Sequence, residues 1–321
     1  VDTFKKLSQI EPVAVDSMKI ILFFLKEAIK DDNSAKQFFS HQKLYLTLIN
    51  SMSFISFESA TRQTSIDDTQ CLLAITPSEY ATCFFKSKLF EKAISNCFNA
   101  TTPIAPKLSQ FIISNLNEED SQKVSLLLWS DVVFKRNCVN CPQYFYLSSE
   151  ILRLFPLTSL IFIQSKAGKD PLGIVSKSMV IKENEFNLSL AMQVLTFAQF
   201  VEAFQKVNDK QKVKFVDCFN DLTKRSFSTI QKIIDRIFDP KISTDAFESV
   251  MKLMASIFSL NSEYENLVLQ ILSKGFLTKI SFEHLAYAKF LFEYVIFILM
   301  HNKDRQKDAI NLLHTELQAL K

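Results

Sequence analysis

Glycine is scarce in this chain: only three glycines, Gly168, Gly173 and Gly275, occur among 321 residues. Phosphate-binding loops and dinucleotide fingerprints need clustered glycines, because backbone amides must approach an anion closely. The three glycines match neither pattern, which argues against both kinds of nucleotide site. Scarce glycine also leaves few positions for tight hairpins, whereas short polar connections join helices without it. We therefore predict an all-α fold.

Apolar residues recur at helical spacing through nearly the whole sequence, as in the stripe at positions 18, 21, 22 and 25. Such spacing places the residues on one face of a helix. The sequence also contains two patterns that are typical of helix N-termini. Residues 76–79 (Thr-Pro-Ser-Glu) combine a cap residue, a proline and a glutamate, and Asn117 precedes three acidic residues. Runs of β-branched residues are short and lie inside helical periodicity, so no sheet is predicted.

These patterns predict about fifteen helices of ordinary length, whose pairs recur at about 40 residues, as in HEAT and armadillo repeats. We expect breaks at 31–34, 59–68, 101–106, 168–172, 240–244 and at Gly275. No linker is long or biased enough to separate two domains. The prediction is one armadillo-like helical-repeat domain over residues 1–321, forming an α-α superhelix.

The formal net charge of +3 is too small to indicate nucleic acid or an acidic membrane as the partner. The most basic run, at positions 206, 210, 212 and 214, is interleaved with Asp209, as is typical of a solvated face. The most apolar stretch, residues 290–300, is interrupted by Glu293 and is too short to span a bilayer, so we predict a buried helix there. A protein partner is expected, without nucleic acid or membrane insertion.

Six cysteines are scattered without the spacing of a disulfide framework, and no signal peptide opens the sequence, which begins at Val1. Both features favour a reduced, cytoplasmic location, and what precedes Val1 stays open. Cys138 and Cys141 have the C-x-x-C spacing of zinc or redox sites. A second ligand pair is missing, and a helical chain lacks the strand context of redox motifs, so we interpret both as packing residues.

No catalytic pattern emerges from the local sequence. Glu283 and His284 lack the second histidine of a metalloprotease helix, and a core histidine is the preferred interpretation. We therefore predict no cofactor, no metal and no enzyme activity. A site assembled only in three dimensions is retained as an alternative, because triad members need only be close in space.

Several short segments resemble one known family in order and approximate spacing. Residues 126–131 (Leu-Leu-Leu-Trp-Ser-Asp), which contain the only tryptophan, are similar to that family's Ile-Ile-Leu-Trp-Ser-Glu. Residues 145–150 (Phe-Tyr-Leu-Ser-Ser-Glu) resemble its Phe-Asp-Ile-Ala-Ser-Asp, and further likenesses occur at 54–58, 76–80 and 239–248. The family is the Mo-25-like family, also called calcium-binding protein 39.

The resemblance implies a curved stack of armadillo-like helices without catalytic activity. Members of the family act as scaffolds and allosteric activators of STE-group protein kinases and of a related pseudokinase adaptor. Their concave face binds the kinase, and a pocket near the C-terminal end accepts a short peptide tail. The sequence carries no D-x-[DN]-x-[DN]-G loop, so the family's name does not imply a calcium site here.

The resemblance also implies where a partner would bind. The positions that correspond to the concave face are Phe145, Ser149, Glu185, Phe186, Ser189 and Met192. The positions that correspond to the tail pocket are Gln231, Ile234 and Asp235, with solenoid core as the alternative role for Ile234.

Two positions depart from the family pattern. Glu185 stands where the family has a tyrosine that contacts the kinase, and Ser189 stands where it has an arginine. Serine cannot reproduce the bidentate contact of a guanidinium, so position 189 does not support activation of the kinase. Phe186 is a substitute for the lost aromatic contact if the helix is rotated. The alternative function is a generic armadillo or HEAT adaptor in transport or cytoskeletal control.

Overall fold

The computed structural model describes residues 49, 69, 73, 76, 78–98, 104–130, 133, 141–173, 175, 188–239 and 241–319. Every regular element among these residues is a helix, and no strand occurs among them. The all-α prediction is therefore confirmed. The chain divides into two compact units, residues 1–147 and 148–321. Because each repeat of a solenoid contacts mainly its neighbours, such a division occurs within one continuous repeat domain as well. The single-domain prediction stays a prediction.

The first unit contains four described α-helices and the start of a fifth. They are α1 (Ala81–Phe85, preceded by the 3₁₀ turn Ser78–Tyr80), α2 (Lys88–Cys97), α3 (Ala105–Asn115), α4 (Glu118–Leu128) and α5 (Pro142–Leu154), which continues into the second unit. Near the predicted helix start at 76–79 a 3₁₀ turn begins at Ser78 and α1 follows at Ala81, while the predicted capping arrangement includes Pro77, which lies outside the described residues. The predicted start at Asn117 is confirmed, since its side-chain oxygen accepts a hydrogen bond from the Asp120 backbone amide at 2.9 Å.

Phenylalanine rings build the core of the first unit. Phe84 contacts Phe90 and Phe111 edge to face, with ring centroids 5.3 and 5.8 Å apart. Nearby, the Tyr144 hydroxyl donates to the Leu128 carbonyl at 3.0 Å, which ties α5 to the end of α4. Edge-to-face packing is favoured by the ring quadrupole, so α1, α2 and α3 are joined by aromatic as well as aliphatic burial.

The second unit continues with ten further α-helices among its described residues. They are α6 (Ser159–Gln164), α7 (Lys166–Lys169), α8 (Leu188–Lys206), α9 (Asp209–Lys212), α10 (Val216–Asp235), α11 (Thr244–Ile257), α12 (Ser262–Leu272), α13 (Phe276–Lys279), α14 (Leu285–His301) and α15 (Gln306–Ala319). Short 3₁₀ turns lie at Pro156–Thr158, Val213–Phe215, Arg236–Phe238, Phe282–His284 and Lys303–Arg305.

Non-helical residues occur within the predicted breaks at 168–172 and 240–244 and at Gly275, but helices also end at described positions that were not predicted, such as 86–87, 155 and 258–261. Pro106 lies in the first turn of α3, and α7 ends at Lys169. Gly275 precedes α13 with φ 69° and ψ 54°, a left-handed conformation that costs glycine little. Gly168 is required for a different reason, because an added Cβ would lie 1.9 Å from the Phe162 carbonyl oxygen. The predicted breaks at 31–34 and 59–68 lie outside the described residues.

The core of the second unit is organised around α8. This helix packs extensively against α11 and also contacts α6, and most of its side chains are buried. Phe200 lies at the centre, within ring-contact distance of Phe162, Phe197, Phe204 and Phe219. On the next pair of helices, the Tyr264 hydroxyl of α12 donates to the Thr223 carbonyl of α10 at 2.7 Å.

In the described part of the chain no single helix has the length and apolar character needed to cross a membrane. Only Pro142–Leu154 and Pro156–Gln164, taken together, pass by length and composition, and they are bent by 119° at the break between them.

Candidate protein-binding groove

A groove of about 900 Å³ crosses four helices of the second unit. Its lining comes from the part of α5 that belongs to this unit and from α8, α11 and α14. The lining includes Ser149 of α5, Gln199 of α8, Met251 of α11, and Tyr287 and Phe290 of α14. Because α8 packs on α11 and α11 packs on α14, we take α14 as one end of this surface. We call this surface the groove. Most of the lining is apolar side chain, with charged groups set among it.

Helical periodicity explains how one surface collects side chains from separate helices. On α8 the groove is lined by positions 195, 199, 202, 205 and 206, and on α11 by positions 248, 251, 252, 255 and 256. Each set recurs at three- and four-residue steps and so lies on one side of its helix. The remaining sides of α8 and α11 are largely buried, which fixes the rotation of both helices.

An ion-pair cluster joins two walls of the groove. The Glu202 carboxylate of α8 accepts from Lys206 at 2.7 Å and contacts Lys252 of α11 at 2.6 Å. Burial disfavours ionisation of Glu202, but the hydrogen bonds and charges of the two lysines outweigh it and hold the pKa of this carboxyl below its ordinary value. The cluster therefore carries one net positive charge and ties α8 to α11.

Two further carboxylates line the groove with different surroundings. Glu150 of α5 forms a short ion pair with Arg153 on its own helix, at 2.7 Å. Glu248 of α11 is exposed and forms no ion pair with any residue of the described chain. The groove thus offers both a cationic cluster and an uncompensated carboxylate, two charges that a polypeptide partner can match.

The end of the groove on α14 is aromatic. Tyr287, Phe290 and Tyr294 recur at steps of three and four residues and share one side of the helix. Phe290 is 71% exposed, although a phenylalanine on a helix this apolar is expected to be buried. The start of α14 is fixed on α11 by His284, whose ring stacks on Phe247 with centroids 4.4 Å apart. His284 is a core histidine, as predicted.

Apart from Ser149, the described residues that the resemblance assigned to a concave face do not line the groove. Phe145 belongs to the first unit, is 5% exposed and contacts Tyr144 edge to face at 5.3 Å. Ser149 lines the groove but is itself buried. Ser189 is buried near the start of α8, while Met192 is half-buried and extends the groove-lining stripe of that helix by one step. Glu185 and Phe186 lie outside the described residues.

The predicted tail pocket falls on α10 and does not coincide with the groove. Gln231 and Asp235 are exposed and lie one helical turn apart on the same side of α10. Ile234 is fully buried and serves the core, the role that the sequence analysis gave as its alternative. The tail-pocket assignment of these positions stays a prediction.

The other candidate sites from the sequence, namely the cysteine pair, a metal site and the basic run, show no functional arrangement among the described residues. Burial raises the pKa of the Cys141 thiol, so little of it is present as the thiolate that binds metals or attacks disulfides. Cys138 lies outside the described residues. Across the described ranges no three His, Cys, Asp or Glu side chains converge as a metal site would require. Within the basic run, Lys206 and Lys212 form ion pairs with Glu202 and Asp209.

The prediction of a buried helix over residues 290–300 does not anticipate the aromatic side chains that α14 contributes to the groove. That prediction is wrong for one side of α14, because Phe290, Phe297 and Met300 are exposed. The opposite side, with Leu291, Val295 and Leu299, is buried as expected. The local sequence does carry a signal for this difference, because Lys289 and Glu293 lie on the exposed side, where they form an ion pair, whereas the buried side has no charged residue.

Comparison of the chain with models of known protein families, with curated proteins and with solved structures found no significant match. Fold and groove together define an all-α protein with an open, mostly apolar surface built from successive helices.

Proposed function

We propose that this chain is a non-catalytic scaffold that binds a STE-group protein kinase or pseudokinase through the groove. The observation that carries the proposal is Phe290, which stands 71% exposed beside Tyr287 and Tyr294 at one end of a surface shared by four helices. Exposed aromatic side chains grouped in this way are typical of the anchors that dominate protein–protein interfaces.

We further infer that the second unit is an α-α superhelix of the armadillo or HEAT kind. Support comes from the packing order: α8 contacts α11 and α11 contacts α14, although α10 and α12 intervene in sequence. The step from the start of α11 to that of α14, residue 244 to residue 285, matches the repeat length of about 40 residues, whereas the step from α8 to α11, residue 188 to residue 244, is longer. Helices that pack on the next equivalent helix in this way form one row of a repeat array. The groove crosses that row.

The dimensions and exposure of the groove favour a polypeptide over a small molecule. A volume of about 900 Å³ lies within the range of ligand pockets, but such pockets bury most of their ligand. A side chain as exposed as Phe290 needs a large surface to cover it. The Glu202 cluster and Glu248 supply opposite charges along the groove, which favour one orientation of a partner.

The kinase as partner rests on the family resemblance of residues 126–131 and 145–150. A rigid helical surface activates a kinase if it binds the active conformation more tightly than the inactive one. Activation through position 189 is not part of the proposal, because serine cannot replace the family's arginine there.

One observation favours a second candidate, the generic armadillo or HEAT adaptor without kinase binding. Phe145, Ser149 and Ser189, which the resemblance assigned to partner contact, are all buried. A buried side chain contributes little direct contact to a partner, so the kinase-binding residues of the family have no exposed equivalents at these three positions. In this alternative the groove still binds a polypeptide, but of another class.

Calorimetric titration with purified STE-group kinase domains and a pseudokinase domain separates the candidates. We expect binding by the wild type and a loss of about tenfold in affinity for Phe290→Ala, the usual effect of removing an interface anchor. Phe282→Ala is the matched control, because Phe282 is 90% exposed and does not line the groove. Absence of binding to every such domain would leave the generic adaptor, and equal losses in both variants would remove the groove from the proposal.

A further inference from the structure

The last described helix, α15, carries apolar side chains on two sides. Its inner side buries Ala309 and Leu312 against the rest of the second unit. Its outer side exposes Ile310, Leu313 and Leu317. Globular proteins expose single leucines routinely, but an aligned row of three apolar side chains on one helix is not routine.

The spacing of the outer row is that of a helix–helix seam. Ile310, Leu313 and Leu317 follow one another at steps of three and four residues, the a and d positions of a heptad. In the sequence Leu320 continues the same spacing, although it lies outside the described residues. An a/d seam of isoleucine and leucine is complementary in shape to another copy of itself, because each side chain fits between four residues of the facing helix.

The charges around the outer row suit self-association in an antiparallel sense. Lys307 is the only lysine, arginine or carboxylate residue that is exposed on α15. Asp308 pairs with Arg305, and Glu316 is buried and accepts from the Leu277 backbone amide at 3.2 Å. When two copies of α15 pair antiparallel about Leu313, position 307 of each faces position 319 of the other, so the two Lys307 side chains lie at opposite ends of the seam and do not repel each other, as they would in a parallel pair.

We propose that a second copy of this chain packs on the outer row, so that two α15 helices form an antiparallel pair about a two-fold axis near Leu313. Such an interface is isologous: the same surface of both copies is buried, and each contact occurs twice. The pair covers the apolar row of α15 and leaves the groove on α14 and its neighbours to a different partner.

Sedimentation equilibrium of the full chain over a concentration series tests the proposal. We expect the wild type to dimerise reversibly and Leu317→Glu to weaken the dimer at least about tenfold, the effect of burying a carboxylate in an apolar seam. Leu126→Glu is the matched control, because Leu126 and Leu317 are each 62% exposed and only Leu317 lies on the outer row. Circular dichroism monitors the helix content of each variant.

Variants with opposite charges at position 313, near the two-fold axis, test whether the partner on the outer row is a second copy of the chain. Leu313→Glu and Leu313→Lys should each be monomeric alone, because like charges meet, and an equimolar mixture should dimerise again because opposite charges meet. A wild type that is monomeric throughout the series, equal weakening by Leu126→Glu, or a mixture that stays monomeric would each overturn the proposal.

Discussion

Helices α8 and α14 are both rich in apolar residues, yet the structure uses them differently. Helix α8 is buried along most of its circumference, and its Phe200 is fully enclosed by other phenylalanines. Helix α14 buries one side, while Phe290 and Phe297 on the other are exposed. The comparison teaches that the composition of a helix sets how much apolar surface it has, whereas the neighbouring helices decide how much of that surface is covered.

The neighbours account for the difference. Helix α8 contacts the 3₁₀ turn Pro156–Thr158, α6 and α11, whereas α14 contacts α11, α13 and α15. The side of α14 that carries Tyr287, Phe290 and Tyr294 faces the groove instead of another helix. An apolar side without a neighbour within the chain is a surface on which a partner gains binding energy by excluding water.

The difference between α8 and α14 is tested by replacing one phenylalanine of each helix with alanine and comparing the stability of the two variants. Phe200→Ala should lower the free energy of unfolding by about 3–5 kcal/mol, because it removes a ring from a packed aromatic core. Phe290→Ala should change it by no more than about 0.5 kcal/mol, because that ring is mostly solvated already. Urea denaturation of both variants measures the difference, and similar losses would show that the two rings are equally buried.

A smaller loss of stability is expected when a tyrosine hydroxyl is removed from the core, and none when one is removed from the groove side of α14. Tyr264→Phe deletes the donor to the Thr223 carbonyl and should cost about 0.5–1.5 kcal/mol, the net contribution of one hydrogen bond, because that carbonyl lies within α10 and keeps its helical partner. Tyr294→Phe, on the groove side of α14, should leave stability unchanged. Thermal denaturation compares the two variants, and a neutral Tyr264→Phe would mean that the hydrogen bond contributes nothing to the packing of α12 on α10.

The contribution of Glu202 and its two lysines to the stability of the protein should depend on pH. Because the folded-state pKa of Glu202 lies below the ordinary 4.5, its stabilisation is complete above that pH and is lost as the pH falls through the lower folded value. Glu202→Gln should cost about 0.5–1 kcal/mol at neutral pH, as partly exposed pairs do. The difference from wild type should shrink on acidification, and a difference that grows there would contradict the sign.

The last prediction concerns the reactivity of two cysteine thiols in the wild-type protein and involves no change in stability. Cys141 is buried with a raised thiol pKa, and Cys218 of α10 is exposed. A thiol reagent should therefore label Cys218 rapidly in the native protein and Cys141 only after denaturation. Peptide mass spectrometry resolves the two sites, and rapid native labelling of Cys141 would show that its surroundings open.

Local physics made much of the fold predictable from the sequence. The cap at Asn117, the proline in the first turn of α3 and the left-handed Gly275 each act within a few residues, so each is visible in the sequence. The all-α class follows from the same local signals. These features need no knowledge of which helices become neighbours.

The groove was not predictable in the same way because its parts are distant in sequence. The pairing of Glu202 with Lys206 is visible at helical spacing, but its contact with Lys252 depends on how α8 packs on α11. The exposure of Phe290 depends on which side of α14 lacks a neighbour. The burial of Phe145 likewise follows from its contact with Tyr144 and not from the segment that resembles a known family.

The most direct test of the groove as a polypeptide-binding surface is site-specific photocrosslinking. A photoreactive phenylalanine analogue at position 290 or, as the control, at position 282 is irradiated with a purified STE-group kinase domain, and crosslinked peptides are mapped by mass spectrometry. Our account predicts crosslinks from position 290 and none from position 282, since only Phe290 lines the groove. Crosslinks from 282 alone, or none from 290 in a complex shown to form, would contradict it.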